Sequence, residues 1–99
     1  MILYNVTVKI RKEVQADWLK WMRETHIPDV MRTGLFKEHK ICRIFEDDPE
    51  GTTYAIQYFC ASMEDFQKYQ TEFAQTLQAD HTKRYEGQYV AFRTLMEVL

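Results

Sequence analysis

Glycine, proline and cysteine are all scarce in this 99-residue chain, at three, two and two residues. So few chain-breakers leave no room for a linker or a low-complexity tract, and the length suits one domain, residues 1–99. Two cysteines are too few for a disulfide-stapled scaffold and point to a reducing cytoplasm. An excess of positive charge is missing too: 13 Lys and Arg stand against 15 Asp and Glu, which argues against nucleic acid or a membrane surface as partner. No apolar run approaches the length needed to cross a bilayer. The opening MILYNVTVKIRK lacks the leading positive charge and small-residue cleavage site of a secretory signal. A phosphate-binding glycine loop, a nucleophile elbow and a hydrolase-like Ser/His/Asp order are absent. The acidic run Glu46-Asp47-Asp48 lacks the spacing of a calcium loop and reads as a solvated turn.

What the chain has in plenty is aromatic side chains: two Trp, six Tyr and six Phe. Residues 2–10 alternate apolar with polar and are mostly β-branched or aromatic, which predicts a strand. Val14, Trp18, Trp21 and Met22 then recur at helical spacing. Pro28 disfavours helical geometry at Ile27, so this helix is expected to end or kink near His26, with Gly34 terminating a last turn. Residues 35–46 and 52–60 read as a hairpin around the turn residues Asp47 to Gly51. Ser62 is an expected N-cap, followed by a helix striped with Met63, Phe66, Tyr69, Phe73 and Leu77 to about Arg84. Residues 88–98 form the last strand.

The order β-α-β-β-α-β predicts a ferredoxin-like α+β domain: a four-stranded antiparallel sheet with both helices on one face. Both sheet faces carry apolar residues, and two helices cover only one. A second copy of the chain is the simplest cover for the other, so a homodimer is expected. Closing the hairpin at Asp47 and Thr52 sets Cys42 against Gln57 and Cys60 against His39. That register puts the two thiols on opposite faces, where they cannot bridge.

Candidate site residues follow from polarity in apolar surroundings. His26 continues the Trp18-Met22 stripe; either Trp18 and Trp21 fill the core and His26 caps the helix end, or a functional pocket lies between helices and sheet with Trp18 or Trp21, Met22 and His26 on its wall. Asn5 interrupts an apolar central strand and could hydrogen-bond neighbouring backbone or present its amide to a ligand there. Arg43 is a cation in mid-strand, fit either for an ion pair with a carboxylate such as Glu97 or for anchoring an acidic ligand. His81 continues the Phe73-Leu77 stripe. With both histidines taken as helix-end residues, chain reversal places His26 and His81 at opposite poles. His26, His39 and Cys60 share a pole, but their spacing matches no zinc motif, and no metal is expected.

The segments YNVTV, W-x-x-W-M, HIPDVMRTGLF, GTTYAIQYFCAS and YVAFRTLMEVL resemble a family of short bacterial proteins of unknown function in the dimeric α+β barrel superfamily. The resemblance covers nearly the whole chain, and HIP-DV-x-x-TG is its most specific part. It implies the fold and a dimer. The superfamily includes cofactor-free antibiotic-biosynthesis monooxygenases, muconolactone-isomerase-like enzymes, stress-responsive proteins and haem-degrading monooxygenases. Haem-degrading members carry an asparagine on the first strand with a tryptophan and a histidine on the second helix. Asn5 and His81 match that pattern, but the second helix holds no Trp. Two functions are therefore carried forward, neither needing a cofactor. One is a binding or packing module for a small apolar or aromatic ligand. The other is a cofactor-independent monooxygenase or isomerase acting on a small aromatic substrate.

Overall fold

The computed structural model describes residues 1–99 and contains every element the periodicity predicts, in the predicted order. Strand β1 (Ile2–Arg11) lies inside the sheet, flanked by β3 (Gly51–Cys60) and β4 (Tyr89–Glu97), and β2 (Glu38–Ile44) pairs outside β3. All pairings are antiparallel, in the order β2-β3-β1-β4. The fold is ferredoxin-like α+β, with the helices on one face.

Alternation along β1 decides which face they cover. Tyr4, Val8 and Ile10 point to the helices and are buried, as are Tyr54, Ile56, Tyr58 and Cys60 on β3. Trp18, Met22, Ile27, Val30 and Tyr69 close over them from the helical layer to form one core. On the other face, Val90, Phe92, Met96 and Ile44 stay exposed, Val90 and Phe92 at 67% and 63%. The observed hairpin register pairs Cys42 with Ala55 and His39 with Tyr58, two residues from the expected alignment. An even shift preserves facing, so Cys60 remains buried under the helices and Cys42 exposed, both as free thiols. Strand β2 is shorter than expected at the turn, because Phe45 to Glu50 form a loop rather than continuing the ladder, while β3 starts one residue early at Gly51.

The first helical arm takes the second of the two expected forms. It is distorted near His26 without ending there: α1 (Gln15–Trp21) passes through a π-helical turn, Met22–His26, into α2 (Ile27–Met31). The cause is Pro28. It has no N–H to donate and its ring crowds the preceding turn, and the Ile27 N–H reaches back five residues to the Met22 carbonyl. Pro28 then occupies the first turn of α2, where an N–H is not needed. Gly34 follows at φ 78°, as a C-terminal glycine should.

The second arm starts at Ser62, whose hydroxyl accepts from the Asp65 N–H at 3.1 Å. It comprises α3 (Met63–Glu72) and α4 (Ala74–Tyr85), interrupted at Phe73, where φ is −127°. The two arms are tied where α4 ends: the Tyr85 hydroxyl donates to Asp17 at 2.8 Å.

Gly51 opens β3 against the backbone of β1, and a Cβ there would collide with the Ile10 carbonyl oxygen. Gly51→Ala is expected to destabilise the domain by about 1–3 kcal/mol. In a domain of this size that lowers Tm by roughly 4–8 °C per kcal/mol. Thermal unfolding by circular dichroism checks it, and an unchanged Tm would mean that the strands do not approach this closely.

Candidate functional site

Between the helical layer and the β1–β4 half of the sheet lies a cavity of about 40 Å³, lined by fourteen residues. Its walls are apolar side chains such as Val8, Met22, Val30 and Ile56, and its polar groups are His26, His81, Gln78, Arg93 and the phenols of Tyr4, Tyr58, Tyr69 and Tyr89. An apolar wall with a few convergent polar groups is the usual make-up of a small-molecule site. The volume as it stands suits one or two water molecules.

The two histidines are held by different means. Trp18 is fully buried, and its indole N–H donates to His81 Nε2 at 2.9 Å. An accepting Nε2 puts the proton of the neutral ring on Nδ1. His26 stacks on Trp21, with ring centroids 5.0 Å apart and planes 27° from parallel. The π turn makes this pairing possible, since residues five apart come to one side only where the helix widens. His26 and His81 then meet at 5.8 Å between centroids.

Burial dominates the electrostatics. It holds His26 below the ordinary imidazole value and drives His81 down to about 4, with the charges of His26 and Arg93 adding to the effect on His81. Both rings are therefore neutral at neutral pH. Burial also raises Tyr4, Tyr58 and Tyr69, so all three phenols keep their protons. The Tyr4 hydroxyl accepts from Arg93 Nε at 3.1 Å. Tyr58 and Tyr69 bury their rings almost completely, yet their hydroxyls bond no protein group and remain open to the cavity.

Of the residues singled out in the sequence, Met22 and His26 line the cavity, and Trp18 and Trp21 stand directly behind its histidines. Asn5 and Arg43 do not belong to it. Asn5 points to the opposite sheet face, where its amide donates to Thr7 Oγ1 at 3.0 Å. Arg43 lies on the far edge strand, its guanidinium 5.5 Å over the Phe45 ring and without the carboxylate partner expected for it. The separation of His26 and His81 to opposite poles is also corrected. Because the first arm runs on to Met31, His26 sits midway along it, within reach of α4.

Sequence reasoning missed Tyr58, Tyr69, Gln78 and Arg93. Arg93 carried the same signal as Arg43, a charge in mid-strand, but on the strand that faces the cavity. No group of three or more His, Cys, Asp or Glu side chains is placed to hold a metal ion. His39 lies exposed on β2, apart from buried Cys60.

Fold and cavity together define a ferredoxin-like α+β domain with a cavity between its helices and sheet. The chain belongs to the family described as Domain of unknown function (DUF4286), whose model matches residues 1–99. No curated protein matches it. Solved structures similar to it include a protein of the ethyl tert-butyl ether (ethd) family from Bacillus halodurans, at TM-score 0.69 and 14% identity over all of both chains. SnoaB, a cofactor-independent oxygenase from Streptomyces nogalater, matches at TM-score 0.66 and 13% identity, over 98% of this chain and 92% of that one. A dimeric ferredoxin-like protein from an uncultured marine organism matches at TM-score 0.70 and 12% identity, over 100% of this chain and 95% of that one. At such identities the likeness speaks for the fold alone.

His81 gives a direct check. Its imidazole should titrate by NMR with a midpoint near 4. A pKa below the unfolded value of about 6.5 means that the unfolded state takes up the proton first. The stability this ring contributes is complete above pH 6.5 and lost as pH falls towards 4, amounting to about 3 kcal/mol at full extent. In His81→Gln that component of the acid sensitivity should vanish from the Tm–pH curve. A wild-type midpoint near 6.5 would contradict the buried, Trp18-bonded ring.

Proposed function

We propose that this protein is a small-molecule binding module acting as a homodimer, with the cavity between helices and sheet as its ligand site. The observation that carries the reading is the pair of Tyr58 and Tyr69 hydroxyls, which make no hydrogen bond within the protein and line one cavity. A hydroxyl without a protein partner bonds water or a ligand instead, so the two phenols mark where the polar atoms of a ligand would be met. The aromatic and aliphatic walls suit a compact apolar body. Entry of anything larger than water requires the cavity to open.

The homodimer rests on the uncovered face of the sheet. Val90, Phe92 and Met96 on β4 and Ile44 on β2 form apolar relief that a second copy would bury. The dimeric description of one structural neighbour supports the same arrangement. The absence of a membrane-crossing helix and the two unpaired thiols agree with a cytoplasmic setting.

A second reading has one observation in its favour. His26 is neutral, faces the cavity and has no hydrogen bond on its ring, so it could take a proton from an acidic substrate carbon or phenol in an oxygenase or isomerase. The small volume of the cavity weighs against holding an aromatic substrate together with dioxygen inside it.

Two experiments test the proposal. In Tyr58→Phe, stability should stay within about 0.5 kcal/mol of wild type, because no internal bond is lost. Affinity for a ligand copurified with the protein and identified by mass spectrometry should fall roughly two- to tenfold. A clear loss of stability with unchanged affinity would make the hydroxyl structural, while oxygen uptake on addition of that ligand would favour the second reading. Light scattering should give twice the chain mass for wild type and the monomer mass for Phe92→Glu; a monomeric wild type at micromolar concentration would remove the dimer.

A further inference from the structure

We propose that the mouth of the cavity is a carboxylate site, in which Arg93 anchors a small organic acid whose apolar end enters between the helices and the sheet. This deepens the reading of the cavity as a ligand site and rests on it.

Location is the first argument. Gln78, Tyr89, Ala91 and Arg93 line both the cavity and the more open groove beside it along the β4 edge. Arg93 therefore stands where the cavity meets solvent. Its Nε donates to the Tyr4 hydroxyl at 3.1 Å, which fixes the plane of the guanidinium without neutralising its charge. The remaining N–H groups form the planar fork that matches a carboxylate bidentately.

Charge is the second argument. The ion pairs of the chain are Lys9–Asp48, Arg11–Glu13, Arg32–Asp29 and Arg84–Asp17, and Arg93 takes part in none. No Asp or Glu occurs among the fourteen residues around the cavity; Glu86 lines the open groove with Arg93 but forms no ion pair with it. The Arg93 charge nevertheless reaches inside, where it opposes protonation of His26 and His81. An uncompensated cation beside a low-dielectric void favours an anion there.

Donor chemistry is the third. Behind Arg93 the site offers the Gln78 amide, the unbonded hydroxyls of Tyr58 and Tyr69, and the Nδ1–H that the Trp18 bond leaves on His81. Donors outnumber committed acceptors, so the complementary ligand brings oxygen acceptors and negative charge. The limited volume favours a carboxylate at the mouth with only a short apolar portion inside, Gln78 turning outward to admit it.

Titrating the wild-type protein with propionate and benzoate, and with propionamide and benzamide as uncharged counterparts, tests this. Binding is read by calorimetry and by the Arg Nε–H and Tyr resonances in NMR. The acids should bind at least tenfold tighter than the amides and shift the Arg93 Nε–H signal. Arg93→Gln should erase that preference, and Arg93→Lys should recover part of it, both with Tm near wild type because the side chain lies on an exposed edge strand. If amides bind as well as acids, the cavity still holds ligands and the carboxylate assignment falls. If neither series perturbs the cavity residues, both readings fall together. If Arg93→Gln alters only the oligomeric mass and leaves the preference for acids intact, the guanidinium serves a subunit contact and the assignment is overturned.

Discussion

A tryptophan N–H sealed from water needs one acceptor, and in this molecule the acceptor for Trp18 is His81 Nε2. Much follows from that bond. It joins the start of the first helical arm to the end of the second, over the middle of the sheet. It also forbids a proton on Nε2, since a protonated imidazole has no lone pair to offer and would leave the indole unpaired at a cost of about 1–3 kcal/mol. Core integrity and a neutral His81 are thus one requirement. The cavity inherits from it a donor of fixed tautomer, which a surface histidine could not supply at neutral pH.

The second constraint is the N–H that Pro28 lacks. A regular helix through residues 22–31 would turn residues five apart away from each other. By taking the Ile27 N–H back to Met22, the chain widens one turn, keeps its direction and brings His26 onto Trp21. One proline thus does two things usually credited to separate features: it relaxes a helix and aims a titratable ring.

Legibility in the sequence followed the range of the physics involved. Period-two and period-3.6 patterns are local, and they yielded all four strands, the helical arms and the Ser62 cap. The opposite facing of Cys42 and Cys60 survived a register error because parity is insensitive to an even shift. Alternation separates two faces without saying which one the helices choose, and for that reason Asn5 was assigned to the wrong side. Proline rules predict a break, whereas a π turn is a cooperative answer of the whole arm. It was this that displaced His26 from the expected helix end and brought it to His81. Tyr58 and Tyr69 looked like ordinary core residues, since nothing in a sequence reports whether a core tyrosine's hydroxyl bonds a protein group or opens to a cavity.

Strand β4 is where the two open questions of this fold meet. Its alternate residues face two ways: Ala91 and Arg93 edge the cavity, while Val90 and Phe92 stand on the uncovered sheet face. As an edge strand it is anchored by one neighbour only, β1, through a continuous antiparallel ladder from Ile2 to Ile10. Any partner seated on Val90 and Phe92 would stiffen the backbone that carries Arg93, and any acid bound by Arg93 would stiffen the backbone that presents Phe92. If both proposals hold, ordering of β4 by one partner would lower the entropic cost of the other and couple ligand binding to subunit association without a change of fold. The strand's position at the edge makes that coupling available, and its alternation gives the coupling its two sites.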